Sequence, residues 1–181
     1  MIYRNALETD ANAIALLHAD SWRRTYRGLF SDDFLDHHAD ADRMNVWNRR
    51  LKSDDQSQFV CVAEIDGDVK GFICVYAKHD PVWGALIDNL HVESEYKRQG
   101  VGTGLMVRAF NWLEVNLPND PVYLWVMENN TPARQFYKKL GAHNAGIVDK
   151  PNPAGGGSAL NCRYIWASAG LSDYASADVE S

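Results

Sequence analysis

An α/β fold built on a mixed sheet is predicted for this 181-residue chain by three observations. The hydrophobic pattern changes from helical to strand-like at Phe59. Three alternate glycines, Gly100, Gly102 and Gly104, separate a strand-like run from an amphipathic helical one. A further β-rich run, Val122 to Met127, leads into a short helical segment that stops at Gly141.

Ile2 to Ala6 is expected as a short strand, and Thr9 or Asp10 is placed to cap a helix with Ile14, Leu17 and Ser21 on one side. Ser31, followed by Asp32 and Asp33, opens a second helical region in which Met44, Trp47 and Leu51 recur at helical spacing. Phe59 to Ile65 and Val69 to Ala77 are β-rich runs joined by Asp66-Gly67-Asp68, a hairpin turn. Ala85 to Val92 is the next strand and runs into the glycines. The helix beyond them sets Met106, Phe110, Leu113 and Leu117 on one face and stops before Pro118. After the strand Val122 to Met127, Thr131 is expected to cap a helix with Pro132 at its first position, where a missing N–H costs nothing. Ala142 to Val148 and Ala159 to Ala167 form a last hairpin, connected by the glycine-rich stretch 151 to 158, a flexible link and a candidate wall of the substrate pocket. The resulting order is β-α-α-β-β-β-α-β-α-β-β.

The segment from Leu90 to Leu105, LHVESEYKRQGVGTGL, suits a pyrophosphate cradle. Glycine permits close backbone approach, and the first N–H groups of a helix have no partner inside it. Lys97 and Arg98 add positive charge, although a solvated basic turn reads the same way. A dinucleotide fingerprint needs a glycine where Leu105 stands and an acidic residue closing a following strand, and both are missing. The P-loop tripeptide Gly-Lys-Ser/Thr occurs nowhere.

Alternate glycines directly after a strand, preceded by basic residues, resemble the coenzyme A loop of the GCN5-related N-acetyltransferase (GNAT) family. From Leu124 to Ala142 the chain reads LWVMENNTPARQFYKKLGA. This is similar to the family's second motif, a strand, an Asn, then a helix carrying Phe-Tyr and ending in Leu-Gly. The likeness covers nearly the whole chain and is most specific between Asp88 and Gly141. It implies a GNAT-like acyl-CoA N-acyltransferase fold, whose central, mostly antiparallel sheet is flanked by helices and splays between the two motif strands. It also implies acetyl transfer from acetyl-CoA to a primary amine of a small molecule in a ternary complex, with no metal. The implied coenzyme A contacts are Leu90, His91 and Val92 on the strand, Arg98, Gln99, Gly100, Val101, Gly102, Thr103 and Gly104 on the loop, and Asn130 and Tyr137 in the second motif. Where the family has Gln or Arg three places before the first glycine, this chain has Lys97, still a competent point charge for phosphate.

Amide formation needs a neutral amine, and a primary amine with a pKa of about 10 is protonated at neutral pH. A base, or a water chain to one, is therefore required. Asp88, near the centre of its strand, is the first candidate; Glu64 and His91 are alternatives, and a carboxylate there can equally serve an ion pair. In the family pattern Tyr137 holds the place of the tyrosine whose hydroxyl reaches the thioester sulfur, so Tyr137 and Asp88 form the expected catalytic pair. Periodicity alone makes Tyr137 a core aromatic. The segment SWRRTYRGLFSDDFLD, from Ser21 to Asp36, resembles a subgroup of bacterial acetyltransferases, in whose fold the first two helices wall the acceptor site. Trp22, Tyr26, Phe30 and Trp83 are thereby expected acceptor contacts, with core packing as the alternative. Small amines, amino acids, amine-bearing antibiotics and peptide or protein amines all stay open as acceptors. A silent acyl-CoA sensor is the rival to an enzyme.

Length and apolar content suit one domain over residues 1–167, with a Ser-, Ala- and Asp-rich tail at 168–181 expected to be mobile. No apolar run would span a bilayer and MIYRNALETD resembles no targeting peptide, so a cytoplasmic protein, monomeric or homodimeric, is expected. A formal net charge of −6 argues against a nucleic-acid groove. Cys61, Cys74 and Cys162 are odd in number and lie in apolar runs, which favours buried reduced thiols over a disulfide or zinc site.

Overall fold

The computed structural model describes residues 1–151 and 157–167. The centre of the glycine-rich connection, 152–156, and the expected tail, 168–181, lie outside the described residues. The elements are β1 (Ile2–Asn5), α1 (Ala11–Thr25), α2 (Ala39–Leu51), β2 (Gln58–Ile65), β3 (Asp68–Asp80), β4 (Gly84–Val92), α3 (Val101–Asn116), β5 (Val122–Met127), α4 (Thr131–Lys139), β6 (His143–Pro151) and β7 (Ser158–Trp166). Their order is the predicted one. The strands form one sheet, β1-β2-β3-β4-β5-β7-β6, antiparallel throughout except between β4 and β5. That parallel pair is bridged by α3, the crossover helix that parallel neighbours require.

Alternation along the strands divides the core into two faces. Ala63, Ile73, Val75 and Ile87 pack with Met106, Phe110 and Leu113 of α3. Val60, Val62, Phe72 and Cys74 pack with Ile14 of α1 and Trp47 of α2. The cysteines are free and buried. Among the described residues no helix is long and apolar enough to cross a membrane.

Two helix starts differ from expectation. Asp10 stands before α1 but makes no capping bond; its carboxylate accepts from Arg4 Nη1 and from the Leu7 N–H, each at 2.7 Å. A charge-assisted pair outcompetes the cap. Helix α4 is capped by Asn130, whose Oδ1 accepts from the Ala133 N–H at 3.3 Å, while Thr131 and Pro132 form the first turn. Asn and Thr are both good caps, so a shift of one place has no signature in the sequence. Strand β3 also outruns its apolar pattern, because Asp80 still pairs with Gly84.

Gly84 fixes where the parallel pair begins. At φ +73° it lies so close to Pro121 that an added Cβ would stand 2.1 Å from the Pro121 carbonyl oxygen. The next N–H, of Ala85, donates to that oxygen at 3.0 Å. Gly84→Ala combines left-handed strain with a backbone clash and is expected to cost about 3 kcal/mol, read from urea denaturation.

Candidate active site

Strands β4 and β5 pair only at Ala85 with Val122, Leu86 with Tyr123 and Ile87 with Leu124. The next residue, Asp88, is an extra one, because the β3 register steps from Val75 opposite Ile87 to Cys74 opposite Asn89. A bulge bends and twists its strand, and here it coincides with the parting of β4 from β5. A cleft of about 890 Å³ opens there, lined from α1, β4, the glycine loop, β5 and α4.

At one end lies the start of α3. Gly100 caps it at φ +80°, Arg98 is also left-handed at φ +62°, and no side chain caps the helix. The N–H groups of Val101, Gly102 and Thr103 are thus left without helical acceptors, a ready anion site. Lys97, Arg98, Gly100, Gly102 and Thr103 line the cleft, joined by Lys139 of α4. Bare N–H groups among cations fit the pyrophosphate of coenzyme A. Three of the expected loop residues also have hydrogen-bonding or packing roles of their own. The Gln99 side chain donates to the Glu95 carbonyl at 2.6 Å, and the Val101 side chain is buried under the sheet. A Cβ on Gly104 would stand 2.1 Å from the Tyr3 hydroxyl, so this glycine serves helix-on-sheet packing.

Where the strands part, Tyr137 of α4 lines the cleft. Burial, then Tyr26, pushes its pKa above the ordinary tyrosine value, so it remains protonated. Tyr26 is raised too, by burial and then Asp88. Asp88 lines the cleft, and its Oδ2 takes Arg50 Nη1 of α2 at 2.8 Å. Arg50 also donates to Asn89 Oδ1 at 2.8 Å. Leu90, His91, Val92 and Asn130 line the cleft, although the Asn130 oxygen is engaged by its capping bond.

His91 sits with Nδ1 2.7 Å from Ser21 Oγ and its ring centre 4.5 Å from that of His18. Burial, then Lys97 and Arg43, lowers its pKa to about 3. It is neutral at physiological pH and a poor proton acceptor from an ammonium. Glu64 lies away from the cleft, paired to Arg4 at 2.7 Å across β1 and β2. Both alternatives to Asp88 are thereby weakened.

Of the expected acceptor aromatics, Trp22, Tyr26 and Phe30 line the cleft together. They also pack on one another and on Leu35, so core packing and lining are one arrangement. Trp83 is not among the lining residues; its ring covers Arg163 with the guanidinium 4.1 Å from the ring centre. Sequence reasoning missed Ser21, Trp125, Lys150 and Arg50. For Trp125 a signal existed, the alternation of Leu124 and Val126 into the core.

A sheet parted beside a glycine-capped helix start with bare N–H groups, with a tyrosine lining the parting, is the arrangement of an acyl-CoA-dependent transferase. Residues 18–142 match the model of the Acetyltransferase (GNAT) family. The chain is 31% identical over 155 residues to the L-amino acid N-acetyltransferase AaaT of Escherichia coli (strain K12), across 83% of this chain and 87% of that protein. It is 30% identical over 151 residues to an N-alpha-acetyltransferase of Sulfurisphaera tokodaii, across 76% and 77% of the two chains. The PaiA N-acetyltransferase of Thermoplasma acidophilum, solved in complex with coenzyme A, has the same fold, with a TM-score of 0.68 at 17% identity over 91% of this chain and 98% of that one. The chain belongs to the GNAT family and is an acetyl-CoA-dependent acetyltransferase.

The lowered His91 pKa has a consequence for stability. From about pH 6.5 down to about 3 the unfolded chain binds a proton on this imidazole and the folded chain does not, so its contribution is present above 6.5 and falls with falling pH. His91→Asn is expected to remove on the order of 2 kcal/mol of the stability change between pH 7 and 5. Urea denaturation of both proteins across that window checks it.

Proposed function

We propose that the chain acetylates the primary amine of a small molecule by direct attack in a ternary complex. The observation that carries this reading is that Tyr137 and Asp88 line the same cleft, with Asp88 at the bulge where β4 parts from β5. Acetyl-CoA supplies an electrophilic thioester carbonyl. The backbone N–H groups of β4 near Leu90 to Val92, beyond its pairing with β5, are placed to hold negative charge developing on the carbonyl oxygen. Asp88, steadied by Arg50, accepts the proton of the incoming ammonium directly or through water. As the new C–N bond forms and the C–S bond breaks, Tyr137 delivers its proton to the departing sulfur.

A small acceptor suits a site whose aromatic wall, Trp22, Tyr26 and Phe30, stands at the cleft on the α1 side. The Escherichia coli relative is named for acetylating L-amino acids, which favours the same class. Thiol release from acetyl-CoA against polyamines, amino acids, aminoglycosides and short peptides tests the reading. Turnover with peptides alone, or coenzyme A binding with no turnover on any amine, would overturn it.

Tyr137→Phe is expected to lower kcat by about 100-fold or more while coenzyme A affinity, measured by calorimetry, changes little. Equal turnover would remove Tyr137 from the acid role. Asp88→Asn is expected to lower kcat/KM at pH 7 by a similar factor and to recover toward pH 10, where the amine loses its proton unaided. A pH–rate profile of that variant parallel to the parent's would remove Asp88 as the base.

A further inference from the structure

The two faces of β5 and β7 separate cleanly. Leu124, Val126, Cys162 and Tyr164 enter the core with α3, so Trp125, Asn161 and Arg163 stand on the opposite face, toward the side from which Arg50 reaches Asp88. On that face the Arg163 guanidinium lies 4.1 Å from the ring centre of Trp83 and 4.5 Å from that of Trp125. The Lys150 ammonium lies 3.5 Å from the Trp125 centre. Trp125, Lys150 and Asn161 line the cleft, whereas Arg163 is not among its lining residues.

Two cations therefore share one indole, and no carboxylate among the described residues pairs with either. Arg163 Nε is buried without a hydrogen-bond partner. The nearby Asp80 feels Arg163 at longer range, but its Oδ1 is occupied by the N–H groups of Val82 and Trp83. By contrast Arg4, Arg23, Arg24, Arg27, Arg43 and Arg50 each hold a carboxylate. Burial and then Arg163 push the Lys150 pKa down, as expected for a cation withdrawn from water with no counter-charge. The aromatic faces offset part of that cost, and an anion would offset the rest. Lys97 and Arg98 belong to the glycine loop at the start of α3, whereas Lys150 belongs to β6, although all three line the same cleft.

We propose that the acceptor is an amine that itself bears a carboxylate, as an amino acid does, and that Lys150 seats this carboxylate, with Arg163, stacked on the same indole, adding positive charge from outside the cleft lining. The proposal rests on the small-molecule reading above. Asp88 then receives the ammonium end, while the lysine ammonium receives the carboxylate end. Such a site discriminates, because an acceptor lacking the anion leaves the Lys150 ammonium unmatched.

The test compares phenylalanine with phenethylamine, which lacks only the carboxylate. With the native enzyme, kcat/KM is expected to favour phenylalanine by about 10-fold or more, and in Lys150→Met that ratio is expected to fall by about 10-fold, chiefly through KM. Arg163→Gln should act alike and Arg163→Lys should restore part of the ratio. Lys150→Met guards against a folding defect in Arg163→Gln, whose side chain stacks between two indoles. Native preference for phenethylamine, or an unchanged ratio in both charge-removing variants, overturns the proposal. Loss of coenzyme A affinity in Lys150→Met would assign the cation to phosphate instead and also overturns it. Calorimetry of N-acetylphenylalanine and N-acetylphenethylamine on the coenzyme A-loaded protein reads the same preference without turnover. If no amine reacts, the small-molecule acetylation reading fails, yet tighter binding of the carboxylate product, lost in Lys150→Met, still supports the anion seat; equal binding of the two products overturns it.

Discussion

The early parting of β4 from β5 is the constraint on which the remaining structure depends. The contact of Gly84 with Pro121 sets where the strands meet, and the bulge at Asp88 coincides with where they separate. A parallel pair continued to Val92 would close the cleft with ladder hydrogen bonds. The crossover through α3 also places the helix start just beyond the end of β4, where its bare N–H groups face the opening. One departure from regular pairing thus creates the gap, exposes backbone donors along it and brings Tyr137 and Asp88 to its edges.

Charge is distributed by the two faces of the sheet. On the α3 side the partners for negative charge are backbone N–H groups with Lys97 and Arg98 beside them. On the other side Arg50 ties α2 to the bulge through Asp88 and Asn89, so the helical wall and the reactive strand move as one unit. Between these stands a neutral imidazole pair, His18 and His91, with the Trp47 indole N–H donating to His18 Nδ1 at 3.1 Å. Keeping both rings uncharged avoids adding positive charge next to Arg43 and Arg50.

Much of this was legible in the sequence because it is local. The alternate glycines, the 3.6-residue spacing of Met106, Phe110 and Leu113, and the Phe136-Tyr137 helix each declare themselves within a few residues. What was not legible depends on distant partners. Arg50 meets Asp88 across 37 intervening positions of chain, a pairing that no local pattern encodes. Gly104 belonged by spacing to the anion loop, but Tyr3, from the first strand, occupies the space beside it. Trp83 reads as one more aromatic, and only the fold shows that Arg163 lies between it and Trp125. Glu64 and Asp88 are indistinguishable as strand carboxylates until sheet order sends one to Arg4 and the other to the bulge.

The gap between β4 and β5 also means that this sheet carries two internal edges. Unpaired strand edges are ordinarily a hazard, open to pairing with other chains, and proteins shield them with helices, charges or bulges. An extended chain of amides laid in the gap would act as a surrogate strand and shield part of these edges. By mass action, a ligand that binds only the folded state stabilises it by about 2.7 kcal/mol at a free concentration one hundred times the dissociation constant. A sheet with such an open seam is one whose stability rises with the supply of whatever fills it.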